Sequence, residues 1–311
     1  MLAGGTRQPG SQRDERVVLV LGASGGIGRA CAEAFARRGA RLVLAARSVS
    51  RLLPVRDECD RLGAEATEVV VTDVLDPEQV GRCIEQALHA FGRIDVVVQS
   101  AAVMAYGAVD AVPPAVFERV VDTSVVGTLN VSRAVLPAFR EQGWGTWVIV
   151  TSLLASVPVP FMGAYITAKW GQLGLARVLQ LETRAEANIH VCTVSPGGVD
   201  TPIFRLAANY AGRVGRPPPP VSSAEKVARA VLRQADRPRR NISVGPANAL
   251  ITLGYRLLPP VYNRLVTPLV RLAAFSPEQS PPTEGNVFTS PSPEANRAHP
   301  GSADAPYARE H

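Results

Sequence analysis

Lysine is almost missing from this chain. Of its 33 lysine and arginine residues only Lys169 and Lys226 are lysine, so nearly every positive charge is an arginine. Other scarcities exclude whole classes of protein. The four cysteines, Cys31, Cys59, Cys83 and Cys192, form no CxxC pair and show no metal-like spacing. That argues against a disulfide framework or a metal site and reads as reduced, structural thiols in a cytoplasmic protein. No motif for reading nucleic acid appears, so nucleic acid is not an expected partner. No apolar run reaches the ~18 residues of a spanning helix. The first apolar run, "VVLVL" at 17–21, is closed by glycine, too short for a secretory signal and better read as a strand.

Hydrophobic residues make up 46% of the 311 positions and charged residues 19%. That suits a globular protein with one large domain and tails. The net charge of +6 is uneven: residues 276–311 hold five acids and two arginines, residues 1–16 sum to +1, and the body at 17–275 carries +8. A basic body suits a phosphorylated cofactor or an anionic membrane surface; scattered solvated arginines would produce the same sum.

Short apolar runs alternate with longer helical segments. Strands are expected at 17–21, 41–46, 67–74, 94–101, 146–152, 189–198 and 241–245, with long helices at about 114–141 and 162–186. Strands apolar nearly throughout mean a parallel sheet covered on both faces, a doubly wound α/β (Rossmann-type) single domain. Residues 1–15 read as a disordered arm, 16–245 as the catalytic domain and 246–275 as an apolar helical extension. Residues 276–311, rich in Pro, Ser and Glu, read as a disordered tail. The stretch 203–222 is too long and too rich in Pro and Gly for a plain connection; it is a substrate-covering loop or a passive surface loop.

The first strand runs into "LGASGGIGRA", with Gly22, Gly26 and Gly28 before a helical pattern. Glycines there let the backbone turn tightly and approach a pyrophosphate at a helix N-terminus, where free N–H groups favour anions. At the end of the second strand, "LVLAARS" places Ala46 where NAD-binding folds often carry an acid, and then Arg47. Arg47 is either a 2′-phosphate ligand or one more solvated arginine; the first reading favours NADP(H) over NAD(H).

The rare lysine sits in "GAYITAKWGQ". Tyr165 and Lys169 are four residues apart on an expected helix and share a face. With six tyrosines and two lysines in 311 residues, chance gives about 0.04 such pairs. Ser152 ends a strand thirteen residues before Tyr165. An ammonium beside a phenol is expected to lower the phenol's pKa from ~10, making it a proton donor and acceptor for an alcohol or carbonyl oxygen. Lysine suits this as a compact charge with donors left over, where arginine's planar fork does not.

The glycine turn, the Ser152, Tyr165 and Lys169 set, and "SPGGVDTP" at 195–202 together resemble the short-chain dehydrogenase/reductase family across roughly 16–245. The resemblance implies a seven-stranded sheet, with Tyr165 as general acid/base and Ser152 bonded to the substrate oxygen. Lys169 would bind the nicotinamide ribose and tune Tyr165. It implies cofactor contacts from Gly22, Ser24, Gly26, Ile27, Gly28, Asp73, Val74 and Ala101, and from Pro196, Gly197, Val199 and Thr201 around the nicotinamide. It also implies homodimers or homotetramers paired through the long helices. Two departures stand out. The family's Asn-Asn-Ala-Gly is "QSAA" here, Gln99 to Ala102, and Ser124 stands where the family's fourth catalytic residue, an asparagine, would hold a relay water.

The sequence therefore points to an NADP(H)-dependent oxidoreductase acting on a carbonyl or secondary alcohol of a hydrophobic small molecule. A nucleotide-binding sensor of the same fold without useful turnover is the alternative that Ser124 and QSAA keep open. The segment 249–275 is expected to cap the pocket or pad a subunit contact, with peripheral membrane contact the less favoured reading.

Overall fold

Five apolar residues in a row, none suited to water on either side, start the sheet. In the computed structural model, which describes residues 14–290, β1 (Val17–Leu21) is buried along its whole length. The elements that follow are α1 (Gly26–Ala36), β2 (Arg41–Ala46), α2 (Val49–Leu62), β3 (Ala66–Val71), α3 (Pro77–Phe91) and β4 (Val96–Gln99). Next come β5 (Ala105–Tyr106), α4 (Pro114–Gln142), β6 (Gly145–Val150), α5 (Gly163–Glu182) and β7 (Ile189–Pro196). The last third holds α6 (Ile203–Leu206), β8 (Ala208–Asn209), β9 (Arg213–Gly215), α7 (Ala224–Asp236), β10 (Asn241–Val244), α8 (Asn248–Leu257), α9 (Pro259–Ala273) and β11 (Phe275–Gln279).

Seven strands form one parallel sheet in the order β10-β7-β6-β4-β1-β2-β3. Alternate residues of β1 serve opposite faces. Val18 and Val20 pack with Phe35, Leu52 and Val231 under α1, α2 and α7, while Leu19 and Leu21 pack with Ile84, Val131 and Phe139 under α3 and α4. This is the Rossmann-like doubly wound fold expected. Strand order reverses at β1, between β2 and β4, and a crevice opens there at the strands' C-terminal ends.

Local chemistry sets the helix ends. Asp76 caps α3 by accepting from the N–H groups of Glu78 and Gln79, with Pro77 in the first turn. Ser223 caps α7 by accepting from Lys226 N. The four cysteines are free and buried, in α1, α2, α3 and β7, and burial pushes every thiol up, to about 11 for Cys83 and about 12 for the others.

One expectation changes and one open alternative narrows. Residues 203–222 hold α6, β8 and β9, and Phe204 and Leu206 line the crevice, which favours the substrate-covering reading over the passive one. The tail begins later than its composition implies. β11 pairs antiparallel with β9, Thr283 bridges Asn209, and Val287 is fully buried. Residues 275–290 are therefore docked by backbone pairing and one valine, neither of which low mean hydropathy registers. The arm at 1–13 and the end of the tail at 291–311 lie outside the described residues.

Candidate active site

The crevice is a cavity of about 870 Å³ at the C-terminal edge of the sheet. Its floor is made by close backbone packing. Gly22 has φ +91°, and a Cβ there would lie 2.5 Å from Ala101 N; a Cβ on Gly28 would lie 2.2 Å from Gly22 O. No other residue fits either place. Helix α1 starts without a side-chain cap and without an acid in its first turn, and Gly25, Gly26 and Ile27 line the cavity. Uncapped N–H groups and the helix dipole suit a pyrophosphate at that point.

The expected cofactor residues converge on this cavity from five strand ends. Gly22, Ser24, Gly26, Ile27 and Gly28 line it after β1, and Arg47 after β2. Asp73 and Val74 line it after β3, Ala101 after β4, and Pro196, Gly197, Val199 and Thr201 after β7. Ser152, Tyr165 and Lys169 line it too; Ser124 does not.

Ser152 follows β6 and is fixed by accepting from Leu154 N at 3.1 Å, at the head of a single 3-10 turn. Burial pushes the Tyr165 phenol up to about 12, and the nearby Ser152 hydroxyl opposes that shift. Lys169 is 2% exposed. Burial draws its pKa down to about 7. The expected lowering of the phenol by the ammonium is corrected by this geometry. Lys169 Nζ stands 5.7 Å from the centre of the Tyr165 ring and donates elsewhere, to Val150 O at 3.2 Å and Gln172 Oε1 at 2.8 Å.

Behind Lys169 runs a buried polar chain that motif spacing alone misses. Gln172 Nε2 donates to Thr128 Oγ1 at 3.0 Å, and so does Gln99 Nε2 at 3.0 Å. Thr128 Oγ1 donates to Ser124 O at 2.6 Å. One hydroxyl thus accepts two amides and gives its own proton to α4. Two of its members carried a signal in the sequence, Gln172 three residues after Lys169 on the same helix face and Gln99 as the departure from the family pattern, but their link through Thr128 did not. The Ser124 side chain is fully buried, and its Oγ meets no protein partner; nor does Gln99 Oε1.

At the end of the cavity beside β2 and β3, Asp73 accepts from Arg119 at 2.6 Å and from Leu75 N at 3.0 Å. Arg47 is clasped by the docked tail: it donates to the carbonyls of Asn286 at 2.7 Å, Val287 at 3.0 Å and Phe288 at 3.4 Å. Burial lowers the Arg47 pKa while Asp73 opposes the shift. Among the described residues no cluster of His, Cys, Asp or Glu is placed to hold a metal ion.

A glycine turn at a strand-order reversal, opening onto a Ser, Tyr and Lys floor, defines an oxidoreductase site of the Rossmann class. The comparisons agree. The family model for short chain dehydrogenases matches residues 16–209. An uncharacterized oxidoreductase of Bacillus subtilis, YxnA, is 31% identical over 281 residues, covering 88% of this chain and 78% of the relative. Dehydrogenase/reductase SDR family member 7B of Xenopus tropicalis is 27% identical over 261 residues, covering 81% and 84%. Among solved structures, an alcohol dehydrogenase from Thermococcus sibiricus complexed with 5-hydroxy-NADP superposes with a TM-score of 0.65 at 27% identity, covering 74% of this chain and 96% of that one. A Mycobacterium paratuberculosis short chain dehydrogenase bound to NAD, 24% identical with a TM-score of 0.66, shares the fold. The chain belongs to the short-chain dehydrogenase/reductase family.

Proposed function

We propose that the protein is an NADP(H)-dependent oxidoreductase that interconverts a carbonyl and a secondary alcohol on an apolar small molecule. The observation that carries the reading is the meeting of Ser152, Tyr165 and Lys169 in the same cavity as the uncapped head of α1. When bound, the nicotinamide supplies or accepts the hydride. Ser152 orients the substrate oxygen by hydrogen bonding. Tyr165, with its pKa near 12, is protonated at neutral pH and gives its proton to a carbonyl oxygen in the reductive direction. Lys169 keeps the ammonium near both, held by Gln172 and Val150 O, and binds ribose hydroxyls.

The preference for NADP(H) rests on Ala46 and Arg47 at the end of β2. Arg51 lines the same end of the cavity, which adds a second guanidinium toward a 2′-phosphate. The tail clasp uses part of the Arg47 fork, so a phosphate there competes with the carbonyls of 286–288. Apolar walls from Val157, Val159, Met162, Phe204 and Leu258 support a hydrophobic substrate.

A binding sensor without turnover is the second reading, favoured by Ser124, whose hydroxyl neither lines the cavity nor bonds a protein group. Fluorescence titration with NADPH and NADH, followed by a panel of apolar ketones and aldehydes, separates the two. Tight NADPH binding with consumption supports the enzyme; tight binding with no consumption across the panel supports the sensor. Arg47→Ala is expected to weaken NADPH by more than ~10-fold and NADH much less. A chain ending at Gln279 keeps Arg47 and loses the clasp. A preference that survives truncation but not Arg47→Ala belongs to the guanidinium, and equal losses for both nucleotides would remove Arg47 from the phosphate site.

A further inference from the structure

Helices α8 and α9 sit shallowly: Asn248 is their one buried residue, and the half-buried Val270 packs against the core. Polar ties hold the pair down. Tyr262 donates its hydroxyl to Pro158 O at 2.7 Å, and Arg216 donates to Leu272 O at 2.9 Å and Ala273 O at 3.1 Å at the end of α9. Surface helices ordinarily turn leucine inward and charge outward. Here leucine faces out. Leu250, Leu253 and Leu257 on α8 and Leu265, Leu269 and Leu272 on α9 are all exposed, with Leu250, Leu257 and Leu272 at 72%, 67% and 74%. At ~100° per residue each set falls on one stripe. The adjoining stripe, including Ile251, Tyr262, Val266 and Val270, lines the site cavity. Leu250, Leu265 and Leu269 belong to both surfaces, so the cavity's apolar wall runs continuously into the exposed leucine face.

The charge on these two helices has one sign. Residues 246–275 contain Arg256, Arg264 and Arg271 and no acidic residue. All three arginines are exposed. Each sits on a flank of its leucine stripe, ~100° around the helix, and Arg271 also lies over the Phe161 ring at 5.3 Å. Leucine centre and arginine flank are what a helix needs to rest in a bilayer interface, with apolar side chains in the acyl boundary and guanidinium groups at phosphate level. The helices have 10 and 15 residues. That is too short to span. A second copy fits this face less well, because neither helix carries an acid to answer a partner's arginines.

We infer that the α8–α9 face docks the protein on an anionic phospholipid bilayer and turns the mouth of the site cavity toward the lipid. Flotation of the full chain, free of nucleotide, tests this with vesicles of phosphatidylcholine mixed with phosphatidylglycerol and with pure phosphatidylcholine. The protein is expected to float with the mixed vesicles at low salt and much less with the pure ones. The combined variant R256Q/R264Q/R271Q is expected to bind the mixed vesicles on the order of 100-fold more weakly, from about 5-fold per arginine. L253S/L257S/L272S is expected to lose binding while keeping the parent melting temperature, since these side chains already face solvent. The inference is overturned by no flotation with anionic vesicles at low salt, by binding that neither variant weakens, or by a leucine variant that turns a dimer into a monomer in sedimentation. The readout needs neither cofactor nor substrate, so it stands or falls separately from the hydride-transfer reading.

Discussion

Lys169 is held from two sides, by Val150 O and by Gln172 Oε1, and burial brings its pKa to about 7. The ammonium therefore dominates below pH 7 and is lost above it. Tyr165, near 12, stays protonated throughout that range. Carbonyl reduction should accordingly fall as pH rises through about 7, with a limb that belongs to the lysine. Gln172→Glu places a carboxylate against the ammonium, raises the Lys169 pKa and moves that limb to higher pH. Gln172→Leu removes the acceptor and should cost ~10-fold or more in kcat with little change in KM. A limb that stays put in Gln172→Glu would show that Gln172 does not position the lysine. Ser124 gives the opposite expectation. With no protein partner for its buried hydroxyl, Ser124→Ala should keep activity and leave stability unchanged or raised by about 1 kcal/mol. A large loss of turnover would put the hydroxyl back in a proton relay.

Most of the seven strands were legible because they are short, largely apolar runs bounded by glycine or polar residues; β10, with only Val244 buried, is the exception. The glycine turn and the Tyr165 and Lys169 spacing were legible because a helix converts sequence distance into a shared face. The polar chain through Thr128 and Gln99 was not, since it joins α4, α5 and β4 across gaps in sequence that only the packed fold closes. Nor was the docked tail, whose order rests on pairing of β11 with β9, the Thr283 bridge and the burial of Val287. Val287→Ala removes part of one fully buried side chain and should cost about 1–2 kcal/mol of local docking. Hydrogen exchange should then speed at Thr283 and Asn286, which donate to Asn209 O and Leu206 O, while amides of β1 keep their protection. Equal acceleration in both places would mean the tail unfolds only with the whole domain.

On the scale of the whole molecule, two exposed apolar surfaces among the described residues lie on different elements. One is the α8–α9 face. The other is the outer side of α4 and α5, where Val126, Leu129, Trp170, Val178 and Leu181 are exposed. The family resemblance places subunit contacts on these long helices, and we propose that they carry a homo-oligomer here. Sedimentation of the parent should show a dimer or larger species that Trp170→Glu with Leu181→Glu reduces to monomer. A parent that is monomeric at high concentration would rule that contact out. No helix among the described residues is long and apolar enough to cross a membrane.

Single-turnover consumption of bound NADPH by an apolar ketone, in the parent and in Tyr165→Phe, tests the central claim most directly. The account predicts consumption by the parent and a loss of at least ~100-fold in the variant, with NADPH affinity changed by less than about 3-fold, because the phenylalanine ring keeps the cavity wall and lacks only the hydroxyl. Equal rates in the two proteins would contradict Tyr165 as the proton donor and with it the mechanism proposed for this cavity.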